Sequence, residues 1–160
     1  MKIIVGIAVV AFTTYCGWFL SRKYRRRKKF FLDMQEFNLS FLEEISYSKR
    51  PFEAFCARRH YTGGFGELLE EVLFQRAEKK TAKISMDEYT FLLVDERVFV
   101  GEYFQTVGRA DSQSQKGYFS NAKTKLDSLK SKGEEDSKRY TDLYTKLGFL
   151  AGLAIMIILL

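Results

Sequence analysis

The sequence has a single proline, Pro51, a single histidine, His60, and two cysteines, Cys16 and Cys56, in 160 residues. Each shortage excludes something. With proline at one position only, ring chemistry interrupts helices in one place, and very long helices are allowed. Two cysteines and one histidine cannot supply a four-ligand zinc set at usable spacing, and no metal or other cofactor is expected. Cys16 lies in an apolar run and Cys56 in the polar body, so no disulfide joins them and the body reads as reduced. The lone imidazole stands beside Arg58 and Arg59 just before a turn, the setting of a surface or capping residue rather than a general base. The acid pairs Glu43–Glu44 and Glu70–Glu71 are adjacent in sequence, so on a helix their side chains diverge by about 100° and share no proton. Gly63, Gly64 and Gly66 are followed by no P-loop lysine or serine and preceded by no strand, which excludes a phosphate loop. No set of nucleophile, base and oxyanion donor assembles, and the chain is expected not to be an enzyme.

Acidic residues are also missing from the start: none precedes Asp33. The net charge of +6 is therefore uneven. Seven of the 26 basic residues fall in one stretch, Arg22, Lys23, Arg25, Arg26, Arg27, Lys28 and Lys29, whereas from Phe30 onward 18 basic residues meet all 20 acidic ones. A nucleic-acid site would spread basic and aromatic residues over a folded face, so no nucleic acid is expected. A cluster beside an apolar run instead fixes topology by the positive-inside effect and touches anionic lipid heads.

The apolar run is Ile3 to Leu20, eighteen residues without a charge. As a helix it spans ~27 Å, close to the ~30 Å hydrocarbon core of a bilayer. No small-x-small cleavage pattern follows it, and Tyr15 stands before Cys16 where a lipidation signal wants a small residue, so it is expected to stay attached. A second uncharged run, Leu147 to Leu160, has fourteen residues. At roughly 21 Å it must thin the bilayer, lean on the first helix or stop part-way. Gly148 and Gly152 give it a small-xxx-small spacing suited to close helix contact. Lys138, Arg139 and Lys146 form a basic flank on the same side as the first, consistent with a two-pass hairpin whose body lies in the cytoplasm.

Between the ends the sequence predicts helices. Phe30, Met34, Phe37, Phe41 and Ile45, widened by Phe31 and Leu42, make one apolar face of a helix that continues from the first span. In so small a domain the phenylalanines are first of all core; otherwise they would meet a partner helix or another copy, and a homo-oligomer is compatible with this layout. Pro51 ends that helix and opens the next, over 51–60. After a turn at residues 62–64, Phe65, Leu68, Leu69, Val72 and Leu73 line one side of a further helix. Ser85 to Glu88 is a capping-box pattern predicting a helix start there. Asp111 or Ser112 would cap a last long helix whose seam runs through Phe119, Ala122, Leu126, Leu129, Gly133, Tyr140, Leu143 and Leu147, with a kink or loose stretch allowed at Gly133. The expected fold is all-α: two membrane-embedded terminal helices flanking a small cytosolic helical bundle with a long C-terminal helix. Its parts are a membrane helix (1–21), a basic juxtamembrane segment (22–29), a helical domain (30–110), a helix returning to the membrane (111–146) and a short membrane helix (147–160).

Three stretches carry a family likeness. LEEISYSKRPFEAF, Leu42 to Phe55, does so through Glu44, Ile45, Tyr47, Pro51, Glu53 and Ala54, with Phe52 where leucine is usual. VGRADSQSQ, Val107 to Gln115, contributes Gly108, Asp111 and Gln115. The closing YTDLYTKLGFLAGLAIMIILL holds an L-G-x-L-x-G-L tail. In this order and spacing, over most of the chain, they resemble the stage III sporulation protein AB family; residues Phe74 to Arg97 match nothing in it. The resemblance implies a part in a multi-protein complex joining mother cell and engulfed forespore, as a mother-cell membrane platform similar to the inner-membrane platform protein of type II secretion and type IV pilus machines. It implies as partners an ATPase like stage III sporulation protein AA and other channel subunits, besides membrane lipids. The motif residues would then be structural or docking elements, Glu44 and Pro51 shaping the first helix junction and Gly108, Asp111 and Gln115 the second. The alternative is a generic membrane-anchored scaffold that reads anionic lipid through its basic patch.

Overall fold

The computed structural model describes residues 2–47, 52–78, 84–107 and 112–159. Every regular element among them is a helix: α1 (Lys2–Leu20), α2 (Arg22–Tyr47), α3 (Phe52–Cys56), α4 (Gly64–Ala77), α5 (Val94–Thr106) and α6 (Ser112–Leu159). The fold is all-α, with long apolar helices at both ends. The chain forms two compact units, one from Met1–Lys28 with Ser131–Leu160 and one from Lys29–Lys130. Helices α2 and α6 contribute residues to both.

The unit of residues 29–130 is built on phenylalanine. The α2 stripe is core, with Phe30, Phe31, Met34, Phe37 and Phe41 all buried. Phe37 is its hub: the rings of Phe41, Phe52, Phe55, Tyr61, Phe65 and Phe104 lie 5.5–6.2 Å from its own, several of them edge to face. Edge-to-face pairs add to plain area burial because positive ring edges meet negative faces. One polar latch crosses this core. Asn38 donates to the Phe119 carbonyl on α6 at 3.1 Å and accepts from the Tyr103 hydroxyl on α5 at 2.9 Å, tying three helices where no water competes.

Two expectations about element boundaries are corrected. The helix opened by a capping box at Ser85 does not form. Residues 86–92 make turns that bury Tyr89 and Leu92 against the phenylalanines, and the Ser85 hydroxyl bonds the Asp87 carboxylate at 3.3 Å. The helix starts at Val94 instead, where buried Glu96 accepts from the Leu93 N–H at 3.0 Å; leucine has no acceptor to return, so the cap is one-sided. The helix after Pro51 is shorter than 51–60, ending at Cys56. The glycines that follow have packing reasons. Gly63 takes φ +75°, and a Cβ on Gly66 would strike the Tyr61 carbonyl.

Helix α6 runs 48 residues, ~72 Å, without a break. Gly133 is no kink: it lies where a Cβ would come within 3.3 Å of the Lys28 Cα on α2. The predicted seam holds from Phe119 to Leu129, all buried, and then changes face. Leu143 and Leu147 are exposed, while Gly133 and Ser137 are buried. Toward the C-terminal end of α6 the small residues meet the neighbouring helix and the leucines turn outward, the reverse of a water-soluble core.

Candidate functional site: a glycine-seamed helix pair and its basic collar

Within the unit formed by the two ends, α1 and the last stretch of α6 lie antiparallel, backbone against backbone. A Cβ built on Gly6 would meet Met156 Cγ at 2.7 Å, and one on Gly148 would meet the Thr13 carbonyl oxygen at 2.5 Å. On Gly17 it would collide with the Tyr144 carbonyl, and on Gly152 with Thr13 Oγ1 and the Val10 Cα. Close approach of this kind is how helices associate where lipid removes the hydrophobic drive between them. The threonine hydroxyls do not break the seam. Thr13 donates to the Val9 carbonyl at 3.0 Å and Thr14 to that of Val10 at 2.7 Å, each within its own helix.

Large apolar side chains point away from the pair. Eight on α1, from Ile4 to Leu20, and seven on α6, from Leu143 to Ile158, are exposed, against seven in all the other described residues. Two helices are long and apolar enough to cross a membrane, and only 17% and 6% of their most apolar windows are buried. A core helix of a soluble protein would be mostly buried; the exposure of these two accords with membrane association.

Beyond Leu20 the helix steps at Ser21, a turn residue between α1 and α2. The Trp18 carbonyl there accepts from Ser21 Oγ at 2.7 Å and from Arg25 Nη2 at 3.1 Å, and the Arg25 guanidinium covers the Trp18 ring at 3.9 Å. Arg22 lies over Phe19 at 5.8 Å and Lys23 over Tyr24 at 5.0 Å. Tyr24 stacks on Tyr140 of α6, centroids 4.2 Å apart and planes 11° from parallel, with Tyr144 at 6.3 Å. Aromatic rings mixed with cations beside an apolar span are the composition of a headgroup-level belt.

The seven cations of the cluster are not equivalent. Arg22, Lys23 and Arg26 are exposed, and Arg25 and Lys28 half-buried. Arg27 corrects the reading of a uniform lipid-facing patch. It is buried and pairs with Asp136 of α6 at 2.5 Å, because its position on α2 faces the other helix. Lys29 is bonded at 2.9 Å to buried Asp33, one turn on.

Of the motif residues, Glu44 and Ile45 are half-buried, Ile45 against the core, while Tyr47, Glu53 and Ala54 are exposed and Gln115 is buried. Pro51, Gly108 and Asp111 lie outside the described residues, as do the cap and junction roles expected of them. Gly148 and Gly152 are brought together with Thr13 and Val10. Gly6 and Gly17 are the seam residues that sequence reasoning missed. Both lie in a run read only for its hydropathy, while Gly133 was placed on the α6 seam but also read as a weak point.

The sequence profile of the stage III sporulation protein AB family matches residues 2–160, so the match also takes in Phe74 to Arg97, where the sequence reading found no likeness. The chain belongs to the stage III sporulation protein AB family. Membership in the stage III sporulation protein AB family implies a sporulation-related role, and the two apolar helices accord with membrane association. No curated protein and no solved structure gives a significant match.

Proposed function

We propose that the chain is a non-enzymatic membrane platform of the channel complex between mother cell and forespore, sited in the mother-cell membrane that faces the forespore. In this reading its helical body stands in the mother-cell cytoplasm and couples an ATPase like stage III sporulation protein AA to the other channel subunits, in the manner of a secretion platform. The observation that carries it is the antiparallel glycine seam of α1 and α6, set in exposed apolar side chains, in a chain whose family is a sporulation family. Cations at the same end of both helices, Arg22 to Lys28 on one and Lys138, Arg139 and Lys146 on the other, favour a cytoplasmic body by the positive-inside effect. Deletion in the sporulating host is the test: spores should stall after engulfment, and normal spore yield would sink the proposal.

The second reading, a scaffold that binds anionic lipid, draws on the exposure of Arg22, Lys23 and Arg26. It predicts that a full-length variant with these three changed to glutamine loses function and its preference for anionic vesicles together. The platform reading predicts that it keeps function as long as the helix pair inserts.

A further inference from the structure

Within the unit of residues 29–130, the last turns of α2 and the first of α6 frame an open groove of ≈ 660 Å³. Its floor and one wall carry Leu39, Leu42 and Tyr47; the other wall carries Lys116, Gly117 and Lys123. The two helices are tied at its base, by Asn38 to the Phe119 carbonyl and by Gln35 to Asp127, so the groove is a fixed feature of the core and not a loop arrangement.

Four observations give the groove a ligand chemistry. Tyr47 is 88% exposed and Leu39 36%, in a unit that buries most of its other aromatic side chains. Neither Lys116 nor Lys123 makes an ion pair among the described residues, and about two turns apart on α6 they stand on the same face. Gly117 has nothing within 4 Å of where its Cβ would be, so the chain's own packing does not require glycine there. Glycine is the poorest helix former after proline, and here it leaves the wall bare for close approach of another backbone. The body from Phe30 onward has 18 basic residues against 20 acidic, so a groove with two uncompensated lysines and one carboxylate, Glu43, departs from the charge of its surroundings.

We propose that this groove seats an amphipathic helix of a partner protein, its aliphatic stripe on Leu39, Leu42 and Tyr47 and its acidic flank on Lys116 and Lys123. Apolar anchors at helical spacing would supply the affinity, and the lysine pair the choice of charge and the orientation. The proposal does not depend on the platform reading: the partner is defined by this chemistry alone.

The test titrates the full-length chain, in nanodiscs of zwitterionic lipid, with two fluorescent synthetic helices of about four turns. Both carry the same leucine stripe, one flanked by glutamates and the other by lysines. The glutamate helix should bind about ten-fold more tightly, and less so as salt is raised. Lys116→Glu with Lys123→Glu should abolish or invert that preference, and Tyr47→Ser should weaken binding of both helices. Lys125→Glu, a reversal on another face of α6, should change little. Equal binding of the two helices would overturn the proposal, as would a preference that Lys125→Glu lowers as much as the double reversal does. Sporulation of the deletion strain is a separate measurement, so the failure of one reading is distinguishable from the failure of the other.

Discussion

The Cα of Gly17 on α1 rests against the backbone carbonyl of Tyr144 on α6, with no room for a methyl group between them. The same holds at Gly148 against Thr13 and at Gly152 against Val10, so the contact continues along the pair. Gly17→Val, Gly148→Val and Gly152→Val should each force the helices apart, with the cost of overpacking, about 1–3 kcal/mol. Thermal and denaturant unfolding of the full-length protein in detergent micelles would check this. Unchanged stability in all three would mean that the seam does not hold the pair. Gly117→Ala, where the Cβ meets nothing, should instead stabilise by about 1 kcal/mol through helix propensity.

Arg27 and Asp136 differ in burial, with side chains 7% and 37% exposed. Removing the carboxylate with Asp136→Ala takes charge compensation from a buried cation, whereas Arg27→Met leaves a carboxylate that water can reach. The first should cost more than the second, about 2 kcal/mol against about 1. Equal losses would show that the pair behaves as a surface contact.

Phe37 sits among six aromatic rings with none of its surface exposed. Phe37→Ala should cost about 3–5 kcal/mol, as expected for an emptied aromatic site. Phe74→Ala, at a residue 61% exposed, should fall within about 0.5 kcal/mol of the parent. Denaturant midpoints of the full-length chain would rank the two.

Burial pushes the Cys56 thiol up to about 12, against a lowering by nearby Arg76, and the Tyr89 phenol up to about 12, aided by Glu71; burial also raises Tyr103 well above its ordinary value. These groups hold their protons in the folded chain at a pH where the unfolded chain has released them. Their contribution is fully present below pH 9 and is lost as pH rises from there toward about 12. Unfolding midpoints should therefore fall with rising pH in that window, and Cys56 should resist alkylation in the folded protein at pH 8 while reacting once unfolded. A flat stability profile across the window would refute the assignment.

Much of the fold was legible because its signals are periodic. The phenylalanine face of α2 and the apolar side of α4 repeat at helical spacing and burial follows that repeat, while the ends were read from the length of their uncharged runs. The likeness of three short stretches was enough to indicate the family. What was not legible depends on partners distant in sequence. Arg27 reads as one more cation until Asp136 is placed beside it, and Gly133 reads as a weak point until Lys28 lies against it. Ser85 to Glu88 has the letters of a capping box, but burial of Tyr89 and Leu92 outweighs a local cap worth about 1 kcal/mol. The buried face of α6 changes after Leu129, and one seam drawn on through Leu143 and Leu147 assumed a single face along the whole helix.

Trp18, beneath the Arg25 guanidinium at the end of α1, is the only tryptophan in the chain. The molecule thus carries one indole, which can be excited apart from its nine tyrosines, at the end of its first apolar helix. Its emission maximum and its quenching by lipids brominated at graded depths would report where that segment rests, and how far it moves when the body engages another protein, with no label attached.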